Sequence, residues 1–86
     1  MAVFPARLVT PERVLLDDEV QAVILRTTEG DSTYLAGHTP LVGALVGGVV
    51  RFQYEDGHEV QAEVPGGFVD VDGEQVTVLV PSAELS

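Results

Sequence analysis

The sequence predicts an all-β fold, either a sandwich or a flattened barrel, of about eight to ten short strands. Sixteen of its 86 residues are valine and one is isoleucine, and these β-branched side chains favour extended structure. Turn signals divide the chain: Asp56-Gly57 and Asp72-Gly73 are typical of hairpins, and Pro65-Gly66-Gly67 predicts a third sharp reversal. A single flat layer of so many strands would leave two apolar faces in water, so we expect the sheet to fold onto itself.

Alternating apolar residues predict individual strands within this fold. Residues 58–64 have a period of two, which is typical of a half-buried strand. The side chains predicted to face the core are those of His58, Val60, Ala62 and Val64, and those predicted to face water are Glu59, Gln61 and Glu63. Three valines repeat the pattern in residues 76–80. Residues 20–25 are apolar on both faces, which predicts one strand enclosed between two layers.

The length and composition predict one domain, residues 1–86, with a thin core. A chain of this size buries roughly 60 to 65% of its unfolded surface, and small domains are usually reinforced by disulfides, a metal or a partner. Cysteine is absent from the sequence, which excludes disulfides and thiolate zinc sites. We therefore expect a partner protein to supply part of the stability. No internal repeat or linker marks a second domain.

The charge balance excludes several classes of function. The net charge of -10 arises from fourteen carboxylates against four arginines, and the chain has no lysine. This charge repels phosphate backbones and anionic lipid headgroups, so we predict no nucleic-acid partner and no direct lipid insertion. The lack of lysine excludes a Walker A loop and Schiff-base chemistry. Residues 1–10 do not resemble a signal peptide, and the apolar run 41–50 is about half of the roughly 20 residues that span a bilayer.

Two histidines are the first candidates for chemistry. His38 follows Glu29 and Asp31 and lies in a Gly37-His38-Thr39-Pro40 turn, which suits a metal ligand or general base, or a hydrogen-bonding contact residue. We favour the contact residue. His58 follows a hairpin Asp-Gly and is interpreted as structural. We predict no catalytic residue, no metal and no cofactor.

Two aspartates and the aromatic residues also have structural interpretations. Asp70, Asp72 and Gly73 match the start of a calcium loop, but Pro81 stands where that loop requires its glutamate. Because the aspartates alternate with valines, we interpret them as a solvated strand face. The aromatic residues are not interleaved with basic residues, so we predict that most of them pack in the core. They are Phe4, Tyr34, Phe52, Tyr54 and Phe68.

Four segments carry a combined pattern that is more specific than any of its parts. They are residues 29–42, 48–51, 66–71 and 76–84. The pattern includes G-H-x-P at residues 37–40 and G-G-F at residues 66–68. With matching residues in order from about position 8 to position 84, the chain resembles the epsilon subunit of F-type ATP synthases.

This resemblance implies a ten-stranded β-sandwich at the foot of the central stalk, held between the gamma subunit and the ring of c subunits. The implied function is non-catalytic: the subunit couples proton-driven rotation of the c-ring to gamma during ATP synthesis. The implied location is the cytoplasmic face of the cell membrane, as a peripheral part of the complex. Members of the family commonly continue into two C-terminal helices that inhibit hydrolysis or bind ATP. This sequence stops at Ser86, so we expect neither inhibition nor ATP sensing from it.

The resemblance also implies roles for three residues. Glu29 and Asp31 match the acidic loop that faces the c-ring, and Asp31 is the preferred candidate of the two. His38 matches the histidine that lies close to gamma; the alternative is a turn residue without a partner. Ser32-Thr33 and Ala36 depart from the family pattern, so the shape of the loop is left open. Two other hypotheses are a β-sandwich adaptor of an unrelated assembly, and a small hydrolase or metal enzyme that uses His38 with Asp31.

Overall fold

The computed structural model describes residues 2–37 and 39–86, and every regular element in that part is a β-strand. The prediction of an all-β fold is therefore confirmed. The strands are β1 (Phe4–Val9), β2 (Val14–Val20), β3 (Ala22–Thr27), β4 (Gly30–Leu35), β5 (Leu41–Gln53), β6 (Glu59–Val71), β7 (Val76–Leu79) and β8 (Glu84–Leu85).

Strands β5 and β6 are too long to be straight. Each has thirteen residues, which at about 3.3 Å per residue would extend about 40 Å, whereas the longest dimension of the molecule is 31 Å. The two strands pair antiparallel on both sides of a bend, with Val46 opposite Gly66 and Gly48 opposite Val64. Gly48 and Gly66 have φ angles of 153° and 139° there, which non-glycine residues rarely adopt.

The bend divides the strands between two layers. One layer has the order β2, β1, β7, the second half of β6 (residues 66–71) and the first half of β5 (residues 41–46). The other has the order β4, β3, the second half of β5 (residues 48–53), the first half of β6 (residues 59–64) and β8. Because two of the eight strands contribute to both layers, they form ten segments, as the resemblance implied. The order of hydrogen-bonded strands begins at β2 and ends at β4, and these two edge strands do not pair, so the sheet does not close into a barrel.

The core lies between the layers and is built mainly of valine. Phe52, Leu8 and Leu25 are its largest fully buried side chains. They are surrounded by the fully buried valines Val20, Val23, Val50, Val69, Val71, Val76 and Val78. Burial of one such side chain contributes about 1.5–3 kcal/mol to folding.

The two Asp-Gly signals are confirmed, because Asp56-Gly57 connects β5 to β6 and Asp72-Gly73 connects β6 to β7. The reversal predicted at Pro65-Gly66-Gly67 is wrong, since β6 continues through these residues. The partner strand has its own glycines, Gly47 and Gly48, at the same level of the ladder. Both strands therefore bend together and keep their pairing, so the chain changes layer without changing direction.

Two other predictions need correction. Residues 20–25 are not one strand, because β2 ends at Val20, the chain bends at Gln21 and β3 begins at Ala22. The buried side chains of this run therefore belong to two layers. His58 is exposed in the turn that precedes β6, instead of facing the core. The alternation predicted for residues 60–64 and 76–80 is confirmed, with Val64 and Val78 among the buried residues.

Candidate functional site

The acidic turn joins β3 to β4 through Thr28 and Glu29. Thr27 Oγ1 donates a hydrogen bond of 3.1 Å to the carbonyl oxygen of Gly30, and the backbone N–H of Glu29 donates one of 3.1 Å to Thr27 Oγ1. Gly30 has a φ of 121°, which favours glycine because a Cβ would be strained. These bonds fix the backbone of the turn, so Glu29 lies exposed at a well-defined tip.

Asp31 lies beside this tip and already has a partner. It stands directly opposite Arg26 in the β3–β4 ladder, and Arg26 Nε donates a 2.7 Å hydrogen bond to Asp31 Oδ1. The hydrogen bond and the charge of Asp31 raise the pKa of Arg26. Residues placed symmetrically on the two sides of a two-residue hairpin turn are cross-strand neighbours. The positions of Arg26 and Asp31 around the turn at residues 28–29 would therefore have predicted this ion pair from the sequence.

The third predicted contact residue, His38, lies outside the described residues, so its role stays a prediction. Gly37, which precedes it, lies just beyond the end of β4. The acidic turn lies at the opposite end of the same strand. Six residues of strand separate these positions, a length of roughly 17–20 Å. The structure therefore does not bring Glu29 and Asp31 together with the segment that leads to His38.

The outer face of the first layer carries an apolar row that crosses four strands. Val9 pairs with Leu79, Leu79 with Phe68, and Phe68 with Ala44. Phe68 is 57% exposed and Leu79 is 42% exposed. A shallow groove of about 430 Å³ runs along them and is also lined by Pro11 and Pro81. The neighbouring cross-strand row consists of Arg7, Thr77, Asp70 and Val42.

Sequence reasoning missed this surface because it assigned most aromatic residues to the core. That assignment is correct for Phe4, Tyr34 and Phe52, which are buried, whereas Tyr54 is half-buried. Phe68 is the exception, because its side chain lies on the outer face. The alternation within β6 contained the signal, since Phe68 is out of phase with the buried Val69 and Val71.

The outer face of the second layer is polar by contrast. One of its cross-strand rows consists of Thr33, Ile24, Arg51 and Gln61. Beside that row, Gln53 Nε2 donates a 3.0 Å hydrogen bond to Glu59 Oε1, and Gln61 Nε2 donates one of 2.7 Å to Glu59 Oε2. The bond from Gln53, followed by that from Gln61, lowers the pKa of Glu59. This face is thus hydrogen-bonded within itself and suited to water.

The turn between β5 and β6 has a structural explanation, in line with the interpretation of His58. The rings of Tyr54 and His58 stack with their centroids 4.0 Å apart, and the backbone N–H of His58 donates to Asp56 Oδ1 at 2.9 Å. Tyr54 Oη donates a 2.5 Å hydrogen bond to Asp18 Oδ2 of β2. Partial burial and then this bond raise the pKa of Tyr54.

The other acidic candidates are also explained by local structure. Asp72 Oδ1 accepts hydrogen bonds from the backbone N–H groups of Glu74 and Gln75, at 2.9 and 2.7 Å, which stabilises the turn. Within residues 2–37 and 39–86, no three or more histidine, aspartate or glutamate side chains converge as a metal site would require. The same part of the chain contains no helix that is long and apolar enough to cross a membrane.

The bent two-layer sheet, with an apolar row on one outer face and a polar outer face on the other side, defines a small β-sandwich with the features of an interaction domain. Residues 3–86 match the family described as the beta-sandwich domain of the ATP synthase delta/epsilon chain. The chain belongs to this family, as the combined G-H-x-P and G-G-F pattern predicted.

Curated relatives and a solved structure agree with this assignment. The chain is 47% identical over 77 residues to the ATP synthase epsilon chain of Desulforudis audaxviator, covering 90% of this chain and 56% of that relative. It is 40% identical over 80 residues to the ATP synthase epsilon chain of Frankia casuarinae, covering 92% and 93% of the two chains. A chain in the mitochondrial ATP synthase structure of Euglena gracilis that includes the c-ring matches with a TM-score of 0.91 and 30% identity, over 99% of this chain and 54% of that chain. This chain thus spans little more than half the length of the first relative and of the structural match.

Proposed function

We propose that this chain acts as a non-catalytic subunit of a rotary ATP synthase and couples the c-ring to the gamma subunit. In this proposal the apolar row binds gamma, and His38 contributes to the same contact. The acidic turn with Glu29 and Asp31 faces basic groups of the c-ring. The subunit then lies at the cytoplasmic face of the cell membrane as a peripheral part of the complex.

The observation that carries the proposal is the exposed apolar row. Contiguous exposed apolar patches, unlike single apolar residues scattered over a surface, mark protein interaction sites. Phe68 lies at the centre of the row, between Leu79 and Ala44. A buried aromatic side chain at the centre of an interface commonly carries much of the binding energy. The adjacent row with Arg7 and Asp70 would form the polar rim that surrounds the apolar centre of many interfaces.

Family membership supports the identity of the partners. The relatives of this chain are ATP synthase epsilon chains, and its structural match comes from an assembly that contains the c-ring. The thin core is consistent with a subunit that functions inside a complex, because binding to the folded state stabilises it by mass action. The unlike outer faces suit a subunit with one apolar contact and one polar, largely electrostatic contact.

A binding experiment with the cognate gamma subunit tests the proposal. We expect Phe68→Glu to weaken binding at least about 30-fold, or about 2 kcal/mol, because it places a charge at the centre of an apolar contact. Thr33→Glu is the matched control, since Thr33 is exposed on the opposite face, and it should change the affinity less than about twofold. His38→Ala should weaken binding as well. Wild-type protein that fails to bind gamma, or equal binding by Phe68→Glu and wild type, would contradict the proposal.

A further inference from the structure

Arg7 differs from the other arginines of the chain in its burial. Its side chain is 39% exposed and counts as half-buried, whereas the arginines at positions 13, 26 and 51 are exposed. Arg7 lies on the outer face of β1, because its neighbours Ala6 and Leu8 are fully buried on the inner face. An arginine commonly buries its aliphatic stem and keeps its guanidinium group at the surface. The stem of Arg7 thus packs against the sheet beside the apolar row.

The guanidinium group of Arg7 lacks an acceptor within the chain. Its Nε atom is shielded from solvent and makes no hydrogen bond with residues 2–37 and 39–86. Asp17 Oδ2, opposite Arg7 in the β1–β2 ladder, lies 3.7 Å from this nitrogen, which is too far for a hydrogen bond. On the other side, Thr77 Oγ1 already accepts a 3.1 Å hydrogen bond from Gln75 Nε2. A buried donor without an acceptor is unfavourable, so the guanidinium group would gain from an acceptor that a partner supplies.

The charges around Arg7 indicate which kind of acceptor fits. Asp17, Glu19 and Asp70 are exposed on the same outer face, and Arg7 is the one basic residue in the strands of the first layer. A further carboxylate from a partner would be repelled by these three groups, and the repulsion would offset its attraction for Arg7. A backbone or amide carbonyl has no net charge and avoids this repulsion. The guanidinium group donates through a planar fork of N–H groups, which suits one or two carbonyl oxygens at a loop or strand edge.

We propose that Arg7 is a specificity-determining residue of the surface assigned to gamma, where its guanidinium group donates hydrogen bonds to an uncharged carbonyl oxygen of gamma. This inference rests on the proposed function, because a partner that covers the apolar row also covers Arg7, two residues before Val9 on the same face of β1. The strands of Arg7 and Phe68, β1 and β6, are separated by β7 alone. At about 4.8 Å between neighbouring strands, the acceptor lies roughly 10–12 Å from the centre of the apolar contact. Gamma therefore presents an apolar centre for Phe68 and a carbonyl oxygen at its border.

The test measures the affinity of variants for the cognate gamma subunit at about 50 and about 300 mM NaCl. We expect Arg7→Met to weaken binding about tenfold, because it keeps the packed stem and removes the donors. The factor should be nearly the same at both salt concentrations, since screening has little effect on an uncharged acceptor. Arg7→Lys keeps the charge but loses the planar fork, so it should weaken binding at least about threefold. Arg51→Met is the matched control, because it makes the same change of charge on the opposite face, and it should change the affinity less than about twofold. A loss in Arg7→Met that is much larger at low salt would identify a carboxylate acceptor and overturn the inference.

A second measurement separates the binding role of Arg7 from a structural one. In urea denaturation of the free chain, Arg7→Met should have the same midpoint as wild type or a higher one, because the guanidinium group makes no hydrogen bond there. A lower midpoint together with weaker binding would show that Arg7 acts through the fold and would overturn the inference. Wild type that does not bind gamma would overturn the proposed function together with the role of Arg7. Binding that Phe68→Glu weakens and Arg7→Met leaves unchanged would overturn the role of Arg7 alone.

Discussion

At the scale of single residues, the bend of β6 depends on glycine where another backbone passes close by. Gly67 has a φ of 150°. A Cβ at this position would overlap the carbonyl oxygen of Leu79 and lie 2.9 Å from Val80 Cγ1. Gly43, in the first half of β5, is different, since its Cβ would lie 3.6 Å from Val69 Cγ1 at an ordinary contact distance. The two glycines therefore have different tolerance for a side chain.

We expect Gly67→Ala to lower the free energy of unfolding by about 2–3 kcal/mol, because it combines backbone strain with overlap against the backbone of β7. Gly43→Ala should be neutral or stabilising by up to about 1 kcal/mol, since it restricts the unfolded chain and fits the folded one. Urea denaturation of both variants checks this. Equal stability of the two variants would contradict the close approach at Gly67.

Glu59 provides a residue-scale prediction for pH. Its folded pKa is lowered, chiefly by the hydrogen bond from Gln53, so ionised Glu59 stabilises the folded state. This stabilisation is present above the unfolded pKa of about 4.3 and is lost as the pH falls through the lower folded pKa. In an NMR titration, Glu59 should titrate below the usual glutamate range, and Gln53→Ala should raise its pKa. An unchanged pKa in Gln53→Ala would show that the bond has no such effect.

At the scale of the elements, the first layer depends on a pairing between distant parts of the chain. Strand β7 lies between β1, which it pairs with in parallel, and β6, which it pairs with antiparallel. Val76 and Val78 are fully buried on its inner face, whereas Leu79 joins the apolar row outside. Strand β7, which has four residues, thus connects the hairpin of β1 and β2 to the rest of the sheet.

The inner and outer faces of this layer can be compared by replacing one valine on each face with alanine. Val78→Ala should lower the free energy of unfolding by about 2 kcal/mol, because it leaves a cavity next to well-packed neighbours. Val42→Ala, at a side chain that is 73% exposed, should change it by less than about 0.5 kcal/mol. Urea denaturation measures both values. A similar loss in both variants would show that the assigned inner face is wrong.

At the scale of the whole molecule, charge repulsion opposes folding. Fourteen carboxylates face four arginines, and the described arginine–carboxylate pairs, Arg7–Asp17 and Arg26–Asp31, are at the surface. Such exposed pairs contribute little to stability. Excess charge of one sign destabilises the compact state through its own repulsion.

Salt should therefore stabilise the isolated chain at neutral pH. Between 20 and 300 mM NaCl we expect the melting temperature to rise by about 4–8 °C, equivalent to about 1 kcal/mol, because salt screens the repulsion between carboxylates. Near pH 4.2, the isoelectric point, the effect should disappear, which is the control. A melting temperature that falls with salt at pH 7 would show that attractive ion pairs dominate.

The sequence by itself determined the features that depend on neighbours along the chain. The alternation of apolar residues around Ala62 and Val78 predicted which side chains are buried. Asp56-Gly57 and Asp72-Gly73 predicted two hairpin turns. Both predictions depend on local properties, the period of the pattern and the chemistry of the turn. The acidic balance followed directly from the composition. The family pattern indicated the ten segments of the sandwich.

Only the tertiary structure decided what depends on strands that meet from distant parts of the chain. Whether Pro65-Gly66-Gly67 reverses or bends the chain depends on Gly47 and Gly48 in the paired strand, which a local motif does not include. The apolar row likewise exists because the parallel pairing of β1 with β7 brings Val9 beside Leu79, and the latter lies beside Phe68 in β6. Register between distant strands is set by burial of the common core, so the outer surface that this register assembles appears only in the folded molecule.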